Sequence, residues 1–256
     1  MRLSATPAER EQLMARHAPA KIAKRLEQGP AQNYLRDFIY GAIDGAITTF
    51  AIVAGVAGAG LSATVVIVLG LANLLADGFS MAVSNYLGVR AENQLREQTR
   101  RQEQREIALY PEGEREEVRQ IFAAKGFAGD ALESIVDTIT GDERLWVDTM
   151  LQDEHGLSLD SANPYKAASV TFVAFISLGA MPLLPFFINA IGGGVISQPY
   201  LYSSVLTAVS FLLVGAAKGT QVGGSRWAAA LETLLMGGAA ALLAYGVGYA
   251  LHGLIT

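Results

Sequence analysis

Two apolar stretches, set end to end, limit most severely what this chain can become. RDFIYGAIDGAITTFAIVAGVAGAG runs from Arg36 to Gly60, and LSATVVIVLGLANLLADGFSMAVSNYLGV from Leu61 to Val89. Each can cross a bilayer, because about 20 apolar residues at about 1.5 Å rise span the hydrocarbon core of about 30 Å. The junction Gly58-Ala59-Gly60-Leu61-Ser62 is uncharged and reads as a tight turn. Yet the first span carries Asp44, and the second carries Asp77 with Met81 four residues on. A carboxylate inside a membrane helix costs at least about 2.5–3.5 kcal/mol, so it calls for a partner or a pathway. Ion movement is the leading expectation. The structural alternative is that Asp44 hydrogen-bonds Asn73, Ser80 or Thr48 and ties the bundle together. Gly41 and Gly45 form a small-xxx-small pair that permits close helix approach beside the acid.

Charge placement sets the expected topology. Of the 19 Lys and Arg, seven precede the first span, ten fall between Arg90 and Lys166, and Lys218 and Arg226 complete the set. The positive-inside rule then puts the N-terminus, the long middle and the 218–226 loop in the cytoplasm. Five spans fit, with the C-terminus on the opposite side. Spans three, four and five are expected near 167–190, 200–217 and 227–251. Pro182 and Pro185 lie toward the outer end of span three, and Glu232 near the start of span five.

Residues 1–35 are polar, with Pro7 at a helix start and Gly29-Pro30 as a break. Leu13, Ile22 and Leu26 among basic residues suit either an amphipathic surface helix or a solvated tail. No apolar core precedes a small-residue cleavage site, so a signal peptide is not expected. The sequence has no cysteine, which removes thiolate metal sites, disulfides and cysteine nucleophiles. Nothing in the charge pattern asks for nucleic acid.

The middle segment holds 17 of the 24 acids and no run able to cross a membrane. No helix breaker stands between Phe79 and Leu109, so span two is expected to continue out of the bilayer as a stalk ending at Tyr110-Pro111. Further helices are expected from about Glu112 to Gly126, from Asp130 as N-cap to Thr140, and from Asp142 to His155, closed by Gly156. Val118, Ile121, Phe122, Leu132, Ile135, Val136, Leu145, Trp146 and Leu151 can supply a small core. Glu103 and Glu106, and Glu114 and Glu117, are spaced i,i+3; Met150 and Glu154 are i,i+4. Such pairs share a helix face. Carboxylates with one thioether suit a borderline divalent metal such as Fe²⁺ better than Ca²⁺, which takes oxygen only. In so acidic a segment the same spacings also arise on solvated faces.

Taken together, DGAITTFAIVAGVAGAGLS followed by GLANLLADGFSMAVSNYL resembles the vacuolar iron transporter family, and the likeness covers nearly the whole chain from Arg36 onward. The resemblance implies an all-α membrane protein of five transmembrane helices, with a cytoplasmic helical metal-binding domain between spans two and three. On that plan residues 1–35 are a cytoplasmic N-terminal segment and 36–90 hold spans one and two. Residues 91–166 form the metal-binding domain and 167–256 carry spans three to five. It implies a homodimer exchanging Fe²⁺ for protons, with Mn²⁺ or Zn²⁺ as further ions to be transported or bound, and no permanent cofactor. The family's membrane Asp and Met fall on Asp44 and Met81, and Asp77 and Glu232 join them as candidate pathway residues. Its cytoplasmic ligands fall on Glu103, Glu106, Glu114, Glu117, Met150 and Glu154. Plant members commonly have two adjacent Met where this chain has Met150-Leu151, which bears on the number of soft ligands. A bacterial inner membrane is expected from an Ala/Gly/Arg-leaning composition, or a vacuolar membrane in a eukaryote.

Two other readings compete. A di-iron carboxylate enzyme needs Glu-x-x-His from each of two helices, and His17, His155 and His252 do not supply that spacing. A membrane-anchored metal sensor without transport has no need of acids in its spans.

Overall fold

The computed structural model describes residues 6–28, 33–221 and 223–255, and among them every regular element is helical. The chain divides into two compact units, Met1–Asn33 and Tyr34–Thr256. The smaller holds α1 (Pro7–Arg16) and α2 (Pro19–Gln28). The Thr6 hydroxyl caps the backbone N–H of Glu9, and the Glu9 carboxylate accepts from the Thr6 N–H at 2.7 Å. This reciprocal box satisfies two of the helix's orphan donors and fixes Pro7 as its first residue. The expected break at Gly29-Pro30 lies outside the described residues.

In the larger unit, α3 (Leu35–Gly58) and α4 (Ala63–Leu109) are the first two spans. The turn between them needs Gly60, whose φ of 67° is disfavoured for any residue with a Cβ. His252, near the end of the last helix, donates from Nδ1 to the carbonyl of Ala59 at 2.7 Å and ties that helix to this turn. The stalk is continuous: the 47 residues of α4 extend about 70 Å at about 1.5 Å each, more than twice the hydrocarbon thickness. Beyond the bilayer length it carries α5 (Pro111–Ala124), α6 (Gly129–Thr140) and α7 (Glu143–Asp153).

The remaining spans are α8 (Pro164–Gly179) continued by α9 (Leu184–Gly192), then α10 (Pro199–Gln221) and α11 (Arg226–Ile255). Among the described residues, five segments are thus long and apolar enough to cross a membrane. Leucines and aromatics on their outer faces, such as Leu75, Phe79, Leu213, Leu235 and Leu242, are exposed. Contiguous apolar surface of that extent fits lipid as its solvent, not water, and the chain is an integral membrane protein.

Span three lies where it was expected, at Pro164–Gly192, and contains a break: after Gly179 it passes through a 3-10 turn at Met181–Leu183 before resuming as α9. Pro182 and Pro185 each remove a backbone donor and clash with the preceding turn, so the α-ladder cannot pass through them. One local expectation needs correction: Asp130 is not an N-cap. The cap of α6 is Ala128 and Asp130 lies in the first turn, where its charge faces the positive end of the helix dipole.

Helix α3 is the hub, packed against α8, α11, α4 and α10. Its contact with α8 is backbone to backbone. A Cβ added at Gly41 would stand 2.3 Å from the Thr171 carbonyl oxygen, and one at Gly45 would stand 2.4 Å from that of Phe175. The small-xxx-small pair is what lets these two spans meet. Toward the 58–62 turn, Val53, Val56, Val66, Leu74, Phe175, Leu183 and Phe186 form a closed apolar core with Met81 at its edge. The stalk region has a separate core of Val118, Val136, Ile139, Trp146 and Met150.

Candidate metal sites

Two groups stand out among the acids of the stalk region. One is paired with arginine or lysine. Arg119 bridges Glu116 and Glu133 at 2.6 and 2.9 Å, Arg115 meets Asp137, Lys125 meets Asp153 at 2.5 Å, and Arg100 meets Asp148 at 2.6 Å. These contacts lace α5 to α6 and α4 and α5 to α7. The other population is Glu103, Glu106, Glu114, Glu117 and Glu154, and among the described residues none of these five pairs with Lys or Arg.

That second group converges. Glu103, on the stalk, is 1% exposed, and Glu114, one turn into α5, is 8% exposed. In each, Oε2 is buried with no hydrogen-bond partner. Burying a carboxylate oxygen without a partner is costly, so a cation fits what these atoms lack. Burial pushes the Glu114 carboxyl up to about 7, and the charges of Glu117, Glu103, Glu106 and Glu154 add to it. Burial also raises Glu154, with Glu117 next in effect. The like charges of the four other carboxylates thus bear on Glu114. Glu106 accepts a hydrogen bond from Gln102 at 3.2 Å and Glu117 faces solvent.

A residue that sequence reasoning passed over completes the group. His155 Nε2 lies 2.8 Å from Glu103 Oε1 and 3.7 Å from Glu154 Oε2. The hydrogen bond to Glu103 raises the imidazole pKa. No Glu-x-x-His pattern marks it, because its carboxylate partner is 52 residues away in the chain. Its position directly after Glu154 was the available signal. Met150, by contrast, is fully buried in the apolar core beside Trp146 and Val118.

In the spans, the hydrogen bonds pass around Asp44. Thr48 donates to the main-chain oxygen of Asp44 at 2.9 Å, and Asn73 donates to the Thr48 hydroxyl at 3.2 Å. At the other end, Asn85 donates to Asp37 at 2.8 Å and lies 2.7 Å from the Thr171 hydroxyl. The α3 and α4 helices run antiparallel, so these two contacts bracket Asp44 and bring the Asp77–Met81 stretch beside it. No hydrogen bond or ion pair reaches the Asp44 carboxylate among the described residues. The tie to Asn73, Ser80 or Thr48 is therefore not made through its side chain. Glu232 stands apart from this group, 3.3 Å from Lys218 where α10 meets α11.

The pattern of the VIT family matches residues 35–249, the whole of the membrane unit but its last few residues. The chain belongs to the VIT family. Among similar proteins, the "Vacuolar iron transporter" of Toxoplasma gondii is 34% identical over 85% of this chain and 74% of its own length. The "Vacuolar iron transporter 1" of Eucalyptus grandis is 30% identical over 95% of this chain and 94% of its own. That of Arabidopsis thaliana is 30% identical over 84% and 85% respectively. The family and these relatives are transporters by name, not enzymes. In this VIT family member the five carboxylates with His155 and the Asp44–Asp77 pair are two separate polar centres. Glu103 is 22 residues beyond Met81 on the same helix, about 33 Å away at about 1.5 Å per residue.

Proposed function

We propose that this protein transports divalent iron out of the cytoplasm in exchange for protons, with Mn²⁺ as a second substrate. The observation that carries the reading is the pair of buried, partnerless carboxylate oxygens on Glu103 and Glu114 inside a cluster of five acids. The relatives' names supply iron as the cargo. Residues 91–166 act as a cytoplasmic metal-binding domain: their field raises the local cation concentration at the mouth of the bundle. Asp44, with Asp77 and Met81 beside it, forms the stop within the membrane. An ionised Asp44 binds the cation, and a protonated one releases it, so a single carboxylate can couple the two fluxes. Met81 adds a soft ligand that favours Fe²⁺ over Mg²⁺.

The basic residues before α3, along the middle segment and at Lys218 and Arg226 support a cytoplasmic N-terminus and an opposite C-terminus. Protomers pair as homodimers through lipid-exposed apolar faces. Composition favours a bacterial inner membrane, and the relatives are named for the vacuole; metal leaving the cytoplasm against entering protons suits either. Glu232, paired with Lys218, serves the α10–α11 contact and the approach to the bundle.

The test is metal flux in proteoliposomes loaded with a pH-sensitive dye. Fe²⁺ uptake should drive counterflow of protons and should cease in Asp44→Asn. Metal binding without flux would establish the sensor reading instead. A C-terminal reporter active only in the cytoplasm should stay silent.

A further inference from the structure

We propose that the imidazole of His155 is a direct nitrogen ligand for metal in the stalk cluster, which gives that site a preference for borderline transition metals over Mg²⁺. The proposal rests on the cluster being a metal site and adds the chemistry that sets which metals it takes.

The argument begins with how the ring is delivered. Asp142 caps α7 by accepting from the Leu145 N–H at 3.1 Å, and the helix ends where Gly156 turns with φ of 65°. The backbone N–H of Glu154 and that of His155 both reach the Met150 carbonyl, at 3.0 and 3.2 Å. That wide last turn places Glu154 and His155 side by side, opposite Glu103 on α4. One donor atom each from Glu103, Glu154 and His155 lies within 4.8 Å of the other two.

The spacing suits one ion. Ligands about 2.1 Å from a metal are about 3.0 Å apart at a right angle and about 4.2 Å apart when opposite. The 2.8 Å from Nε2 to Glu103 Oε1 fits neighbouring positions, and the 3.7 Å to Glu154 Oε2 fits a wider angle. Binding through Nε2 leaves the ring proton on Nδ1 and frees Glu103 Oε1 from its hydrogen bond to accept the same ion. Glu103 Oε2, buried and unpartnered, remains to meet it as well. The His155 side chain is 30% exposed, so an ion can reach it from solvent. Imidazole suits Fe²⁺, Co²⁺, Ni²⁺ and Zn²⁺, whereas Mg²⁺ and Ca²⁺ take oxygen. With Met150 enclosed in the apolar core, His155 is the most accessible non-oxygen ligand of the cluster.

The alternative role is positioning, with Nε2–H donating to Glu103 and no bond to metal. The full chain in detergent, given substoichiometric Mn²⁺, separates the two by electron spin-echo envelope modulation. Directly bound imidazole should imprint ¹⁴N modulation on wild type and His17→Ala, and His155→Ala should lose it. In His155→Ala, Co²⁺ affinity should fall by more than the about 10–100-fold that loss of an outer-shell partner costs, while Mg²⁺ affinity changes little. His155→Asn keeps a donor for Glu103 but has no imidazole, and it should behave like His155→Ala. Bound Mn²⁺ without nitrogen modulation in wild type, or full Co²⁺ affinity in His155→Asn, would overturn ligation and leave the carboxylate site standing. A wild-type spectrum of free aqueous Mn²⁺ would remove the site itself.

Discussion

Glu103 and Asp44 are both carboxylates set among packed helices, and their surroundings have little else in common. Around Glu103 stand four more glutamates, an imidazole and orphaned carboxylate oxygens, on helices held in place by ion pairs of arginine with other acids. Around Asp44 stand Asp77, two glycines that bring α8 close, and a hydrogen-bond chain that bypasses the side chain. Many ligands bind tightly and release slowly, which suits collection. One carboxylate with few partners binds weakly and exchanges readily, which suits passage. The difference follows from solvent. An aqueous domain can keep five acids together because water, protons and counter-ions moderate their repulsion, whereas in the bilayer each further charge costs several kcal/mol.

The largest expected effect lies at the membrane site. Asp44→Asn should lower metal flux by more than the about 10–100-fold typical of losing an outer-shell partner. Metal binding by the stalk cluster should remain at wild-type affinity. Near-normal flux would end the distinction between a collecting site and a passing site.

A second expectation concerns pH in the stalk region. Glu114 titrates at about 7 in the folded protein against 4.5 as its ordinary value. The fold is therefore favoured at low pH, and that contribution is lost as pH climbs from about 4.5 through about 7. Metal-free protein in chelator should lose up to about 3 kcal/mol of local stability over that window, at about 1.4 kcal/mol per unit. Fluorescence of Trp146 in a Trp227→Phe background reports it, because Trp146 sits in the stalk core. Metal should reverse the loss and Glu114→Gln should flatten the profile. A pH-independent melt would mean that the five acids do not act on one another.

Packing at the membrane site should be less forgiving of added volume than its polarity suggests. Gly45→Ala places a Cβ 2.4 Å from a carbonyl oxygen of α8, and overpacking of this kind costs about 1–3 kcal/mol. The detergent-solubilised melt should drop, and flux with it, while stalk metal binding persists.

The smallest effect is the control. Glu133→Gln removes one partner of Arg119 on an exposed face, where solvent screening leaves an ion pair little weight in stability. Metal affinity should not change. A fall comparable to that of Glu114→Gln would show that paired and unpaired acids are not separate populations.

Much of this architecture follows from sequence because membranes impose simple rules. Five apolar stretches, an uncharged turn with Gly60, and a breaker-free run from Phe79 to Leu109 leave few alternatives to long helices crossing a bilayer and one continuing beyond it. The i,i+3 glutamate pairs were equally readable, since helical spacing alone puts them on one face. What sequence did not separate was paired from unpaired acid: Glu116 and Glu117 are neighbours, yet the first meets Arg119 and the second, though exposed, leaves its charge to act on Glu114. That assignment depends on which way α5 turns against α6 and α4. The same holds for His155, whose contact with Glu103 joins the last helix of the stalk region to its first. Glu232, a candidate pathway residue, likewise meets Lys218, fourteen residues away in the chain, at 3.3 Å. Local rules of hydropathy, capping and helix period determined the elements and their order. Only tertiary packing decided which charges cancel and which are left to seek a metal, because that depends on side chains brought together from distant parts of the chain.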